Sequence, residues 1–208
     1  MTAVQRSTTA DGDSTVARVL EQLRTEIIAG RYMPATKLAP TTIADEYGVS
    51  VIPVREALRV LESEGFVGFL HNRGAWVTGM SRTDLVDLYD IRIEIETQAV
   101  RLARTLTGEE LDRLDAMLVE ARACDERQDN ARIVEINRDF HMSIYDAAGS
   151  PRRMRLIEQL WLHSARYQRV ALEYRHDAAD AEHRLVVEYL RSGDHDRAAD
   201  ALGDHLRT

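Results

Sequence analysis

Residues 50–67 read SVIPVREALRVLESEGFV, and the spacing of apolar residues in this stretch decides the fold. Val54, Ala57, Leu58 and Leu61 recur at helical intervals as one stripe, while Arg55, Glu56, Arg59 and Glu62 take the other faces. Ser50 is a residue type whose side chain accepts from first-turn amides. Pro53 is tolerated so near the start because the amide it removes has no intrahelical partner. Gly65 stands at a C′ position that ends the helix, and Phe66 and Val67 resume the chain as a strand.

Upstream, Ser14 or Thr15 caps a helix that runs to about residue 29, with Val16, Val19, Leu20, Leu23, Ile27 and Ile28 on one face and Gly30 as its stop. Residues 31–38 contain Pro34 and read as a turn into a short extended piece. Thr41 or Thr42 opens a second short helix, with Ile43, Ala44 and Tyr47 inward and Gly48 closing it. The order helix, helix, turn, helix has the spacing of a helix-turn-helix. Downstream, FVGFLHNRGAWVTG at 66–79 places two β-rich pieces around His71, Asn72, Arg73 and Gly74, a hairpin signal. Such a hairpin either covers the core or, following a recognition helix directly, forms a wing whose tip reaches DNA.

From Ser81 onward the pattern is helical throughout. Ser81 with Asp84 starts a helix to about residue 106, and Thr107 with Glu110 forms a capping box for one to about 128. Further helices follow over about 130–148, from Ser150-Pro151 to about 174, over 177–191, and from the Asp194 cap to about 206. The expected fold is mainly α. Residues 1–13 form a polar disordered tail, 14–78 a winged helix-turn-helix, 79–82 a linker, and 83–208 an all-helical bundle.

Charge divides along the same line. The net charge of −8 resolves into a balance of zero over 14–78 and −7 over 79–208. A neutral domain still binds DNA where its Arg residues share a face. Cys124 is the single cysteine, so no internal disulfide forms, and a cytoplasmic location fits. It sits in a helical pattern and reads as buried filler. No apolar run approaches a membrane span, and the first residues lack the apolar segment of a secretory signal.

The segment from Ile27-Ile28-Ala29-Gly30-Arg31 through PVREALRVLESEGFV to Asn72-Arg73-Gly74 resembles the winged-helix domain of GntR-type bacterial transcription regulators. The remainder resembles the ligand-binding FCD domain of their FadR branch. It does so through the Arg92-to-Glu96 spacing in YDIRIEIE, the Phe140-His141 pair in NRDFHMSIY, and AEHRLVVEYLRSGDHDRAADALGDHL at 181–206. The resemblance implies a homodimeric regulator, expected to be a repressor, that binds palindromic operator DNA and responds to a small organic acid. It implies DNA contacts from Ser50, Val51, Ile52 and Arg55 and from the wing tip, His71, Asn72 and Arg73. Val51 stands where relatives commonly carry a basic residue, Thr41 where one also occurs, and Ala35 where Gly is usual. Val51 and Ile52 suit a thymine methyl instead of a phosphate or guanine.

Asn137 and His141 are four apart and leave one helix on the same face, while His183 and His205 belong to separate expected helices. Imidazoles from three helices can hold a divalent ion inside a bundle, although each taken singly reads as a hydrogen-bonded core histidine. By the resemblance, Asn137, His141, His183 and His205 are metal ligands, for zinc or alternatively nickel or manganese. Asn137 replaces the Asp of many relatives and brings no charge, so an anionic effector is the expected further ligand. Arg92 and Glu96 are the expected effector-binding pair, with a structural Arg92–Glu96 salt bridge as the other reading. His163 reads as core or rim. Two rival functions remain: a metal-responsive regulator whose signal is the ion, and a metal-dependent hydrolase. Against the second, the chain has no HExxH and no GxSxG, so the expectation is that it is not an enzyme.

Overall fold

The computed structural model describes the backbone of residues 8–70, 74–171 and 176–207, and the side chains of 14–70, 74–168 and 180–207. The described chain is built from nine α-helices and three short strands. Its backbone contacts separate into two units, residues 1–82 with 165–169, and residues 83–164 with 170–208.

The first unit contains α1 (Thr8–Ile28), β1 (Lys37–Leu38), α2 (Pro40–Tyr47), α3 (Val51–Ser63), β2 (Val67–Leu70) and β3 (Gly74–Val77). The strands form one antiparallel sheet in the order β1-β3-β2, with Gly68 opposite Trp76 and Lys37 opposite the same residue on the other side. α3 packs on α1 and α2, because the sequence stripe Val54, Ala57, Leu58, Leu61 is buried against Val19, Leu23, Ile27 and Ile43. A two-pronged ion pair, Arg24 to Glu64, ties α1 to the end of α3 at 2.7 and 3.1 Å. Gly65 has φ +83°, the left-handed turn expected after the helix.

Three local expectations are corrected. α1 begins at Thr8 rather than at Ser14, so 8–13 are helical and not a disordered tail; residues 1–7 lie outside the described residues. Once a turn exists, each added residue gains a backbone hydrogen bond, and the helix propagates into a stretch without apolar periodicity. α2 begins at Pro40, with Ala39 as an N-cap that makes no side-chain bond, because the fixed φ of proline suits the first helical position. Ser50 is the N-cap of α3 in backbone terms, yet its side chain makes no capping hydrogen bond.

The second unit contains α4 (Arg82–Leu102, from residue 83), α5 (Gly108–Glu126), α6 (Asn130–Asp146), α7 (Pro151–Ala171, apart from 165–169), α8 (His176–Arg191) and α9 (His195–Arg207). The Thr107–Glu110 capping box is present in both directions. α8 packs on α9 and α5, and α5 on α6, around a core that includes Ala99, Leu114, Phe140, Ile144, Ile157, Val186 and Leu202. Cys124 is buried, as its helical setting suggests. Side chains from α6, α8 and α9 reach one common point, where three histidines meet.

Candidate metal centre and nucleic-acid interface

His141 on α6, His183 on α8 and His205 on α9 converge, with one ring nitrogen of each within 4.8 Å of the others. His141 Nε2 lies 3.0 Å from His183 Nε2, which lies 3.2 Å from His205 Nε2. Two nitrogens bound to one ion at about 2.0–2.1 Å stand roughly 3.0–3.4 Å apart, so the donor set fits a small divalent cation. Among the described residues the cluster contains no carboxylate ligand. Burial, followed by the neighbouring imidazoles, pushes His141 and His183 well below the ordinary histidine range, so both rings are neutral and can ligate near pH 7.

The outer faces of two rings are held by named partners. Tyr145, one turn after His141 on α6, donates to Glu96 at 2.5 Å, and its oxygen lies 3.0 Å from His141 Nδ1. Since the phenol's own hydrogen points to Glu96, the His141 hydrogen sits on Nδ1 and its Nε2 presents a lone pair. Burial, then Glu96, raises Tyr145 well above the ordinary phenol range and keeps it a donor. On α9, His205 Nδ1 lies 2.7 Å from Glu182 Oε2, which fixes the same tautomer. Such outer partners orient ligating histidines and raise their basicity.

Arg92 on α4 is buried to 1% exposure and pairs with Glu96, itself 0% exposed, through Nε at 2.6 Å. Its guanidinium lies between the rings of Tyr89 and Trp161, 4.8 and 4.7 Å from their centroids, and the Trp161 ring also lies against His141. Nη1 is buried without a hydrogen-bond partner. A buried donor left unpaired is a natural point for an anionic ligand.

In the first unit, α3 presents Ile52, Arg55, Glu56 and Arg59 to solvent along one stripe, with Ser50 exposed at its start and Val51 half-buried. Residues 15–77 match the gntR family of bacterial regulatory proteins, and residues 87–208 match the FCD domain. The chain belongs to the GntR family and carries an FCD domain. It is a DNA-binding transcriptional regulator, not an enzyme. The regulator is 31% identical over 150 residues to the HTH-type transcriptional regulator McbR of Escherichia coli, covering 72% of this chain and 68% of that one. It is 28% identical over 202 residues to the E. coli HTH-type transcriptional repressor GlaR, covering 89% and 90%. The solved structure of E. coli McbR/YncC superposes with a TM-score of 0.77 at 26% identity over 93% of each chain.

In this GntR-family chain the recognition helix is α3 and the wing is the β2–β3 hairpin. The tip candidates His71, Asn72 and Arg73 lie outside the described residues. Asn137 is half-buried on α6, one turn before His141. His163 is half-buried on α7, matching the core-or-rim reading. The Arg92–Glu96 salt bridge is present, and it leaves one Arg92 nitrogen over. Sequence reading missed Tyr145, Trp161 and Glu182 as parts of the site. Tyr145 was within reach, since it follows His141 by four and so shares its face. Glu182 was not, because it serves His205 on another helix rather than its neighbour His183. Among the described residues no helix is long and apolar enough to cross a membrane.

Proposed function

We propose that this regulator is a homodimeric repressor of palindromic operators whose DNA affinity is set by a small carboxylate bound at a divalent ion in the second unit. The convergence of three Nε2 atoms, two of them presented as lone pairs by Tyr145 and Glu182, carries the reading. His141, His183 and His205 would hold the ion, with Asn137 as a further neutral donor. The ion supplies the positive charge that attracts a carboxylate, and the unpartnered Nη1 of Arg92 supplies a second anchor. Glu96 then acts by holding Arg92 and Tyr145 rather than by touching the effector. Zinc suits the three-imidazole set, with nickel or manganese as alternatives. The naming of related proteins as repressors supports the direction of control.

The test is an operator titration by fluorescence anisotropy, with metal-loaded and chelated protein, against hydroxy-, keto- and dicarboxylic acids. An acid that acts only on loaded protein and shifts affinity by about 5–150-fold, the usual coupling range, is the expected result. A shift caused by the ion with no acid present would make the ion the signal. Operator affinity indifferent to both would overturn the proposal.

A further inference from the structure

We propose that Ile52 reads a thymine in the operator through that base's 5-methyl group. Ile52 is 68% exposed, the most exposed large apolar side chain among the described residues. Single apolar side chains on a surface are ordinary, and its place is what singles this one out. It lies on the first turn of α3, the part of a recognition helix that meets base edges in the major groove. Its neighbours are otherwise engaged: Pro53 and Val54 are buried in the core and Val51 is half-buried, so of the apolar residues opening α3 only Ile52 projects freely. Arg55, Glu56 and Arg59 continue the same exposed stripe at helical spacing.

An isoleucine offers no donor or acceptor. Among the groups that base pairs display in the major groove, the thymine methyl is the apolar one. Opposite Ile52, a guanine O6 and N7 or a cytosine amino group would lose groove water and gain nothing, the penalty of an unpaired polar group. Thymine alone replaces water with apolar contact. Arg55 and Glu56, one turn further on, keep the polar choices, guanine or phosphate for Arg55 and the cytosine amino group for Glu56. The operator half-site is therefore expected to hold a thymine beside whatever Arg55 contacts. This inference rests on the DNA-binding assignment alone and is independent of the metal and the effector.

The experiment selects a binding site from a random duplex library with the full-length protein, then replaces each thymidine of one half-site in turn by deoxyuridine. Burying one methyl group contributes about 0.8 kcal/mol, so wild-type protein is expected to lose affinity about fourfold at one thymidine. In Ile52→Ala that loss is expected to vanish, and in Arg55→Ala it is expected to persist. A thermal melt confirms that Ile52→Ala is folded. No deoxyuridine effect at any position would overturn the proposal. So would an effect that Ile52→Ala retains, including one that Val51→Ala removes instead.

Discussion

His205 Nδ1 lies 2.7 Å from a carboxylate oxygen of Glu182, a residue next in the chain to His183 but facing the histidine of the neighbouring helix. One short segment of α8 therefore supplies a ligand candidate and the group that orients another. Glu182 also places a negative charge beside a cluster that, among the described residues, has no carboxylate ligand of its own. Glu182→Gln is expected to weaken metal binding about 10–100-fold, the usual effect of removing such a partner. Tyr145→Phe, acting through His141, is expected to do the same. Competition with a chromophoric chelator measures both, and unchanged affinity in both variants would mean that the rings need no outer support.

Metal removal addresses the site as a whole. Chelation is expected to lower the melting temperature, and zinc, nickel or manganese to restore it. At one hundred times Kd a bound ion adds about 2.7 kcal/mol. His183→Ala is expected to abolish the recovery, while Asn137→Asp, which adds a negative charge one turn from His141, is expected to tighten binding. A melting temperature blind to every ion in the wild-type protein would show that the cluster is a plain buried histidine network.

Arg92 and Glu96 are buried together, so removing one strands the other. Arg92→Met is expected to destabilise the folded protein by about 3–5 kcal/mol, and the double variant Arg92→Met/Glu96→Gln to recover much of that loss. Chemical denaturation of wild type, Arg92→Met, Glu96→Gln and the double variant closes the cycle. Equal losses in the single and double variants would show that the charge pair is not the cause.

Ala35 has φ +66°, the left-handed conformation that an alanine enters at a cost and a glycine enters freely. Its amide donates to the Val77 carbonyl at 3.0 Å, which holds the chain in that turn beside the sheet. Ala35→Gly is expected to stabilise the first unit by up to about 1 kcal/mol, read by urea denaturation, because relief of the strained φ exceeds the extra freedom of the unfolded chain.

The capping box of α5 gives a pH signature. Hydrogen bonds from the Thr107 backbone N–H and then its side chain hold the Glu110 carboxyl below its usual range. With the folded value depressed, the contribution is present above the unfolded value near pH 4.3 and is lost as pH falls through the folded one. Thr107→Ala is expected to cost about 1 kcal/mol at neutral pH, with the difference from wild type narrowing in acid. A gap that widens on acidification would contradict the sign.

Local periodicity by itself determined the elements of this protein. The stripe Val54, Ala57, Leu58, Leu61, the stop at Gly65 and the Thr107–Glu110 box act within one or two helical turns, so their meaning is written in spacing. The order of those elements, with the PVREAL string and the spaced histidines, was enough to mark a GntR regulator with an FCD domain, as the family matches show. Where α1 and α2 begin was not legible, since α1 runs back to Thr8 through a stretch without apolar periodicity and the fixed φ of Pro40, not a capping bond from Ala39, sets the start of α2. The meeting of His141, His183 and His205 belongs to tertiary structure, because it depends on how α6, α8 and α9 are placed around one core. So do the Glu182–His205 bond, the unpartnered Arg92 nitrogen and the exposure of Ile52 among the apolar residues that open α3. Each is a relation between a side chain and what surrounds it, and only the packed fold creates that surrounding.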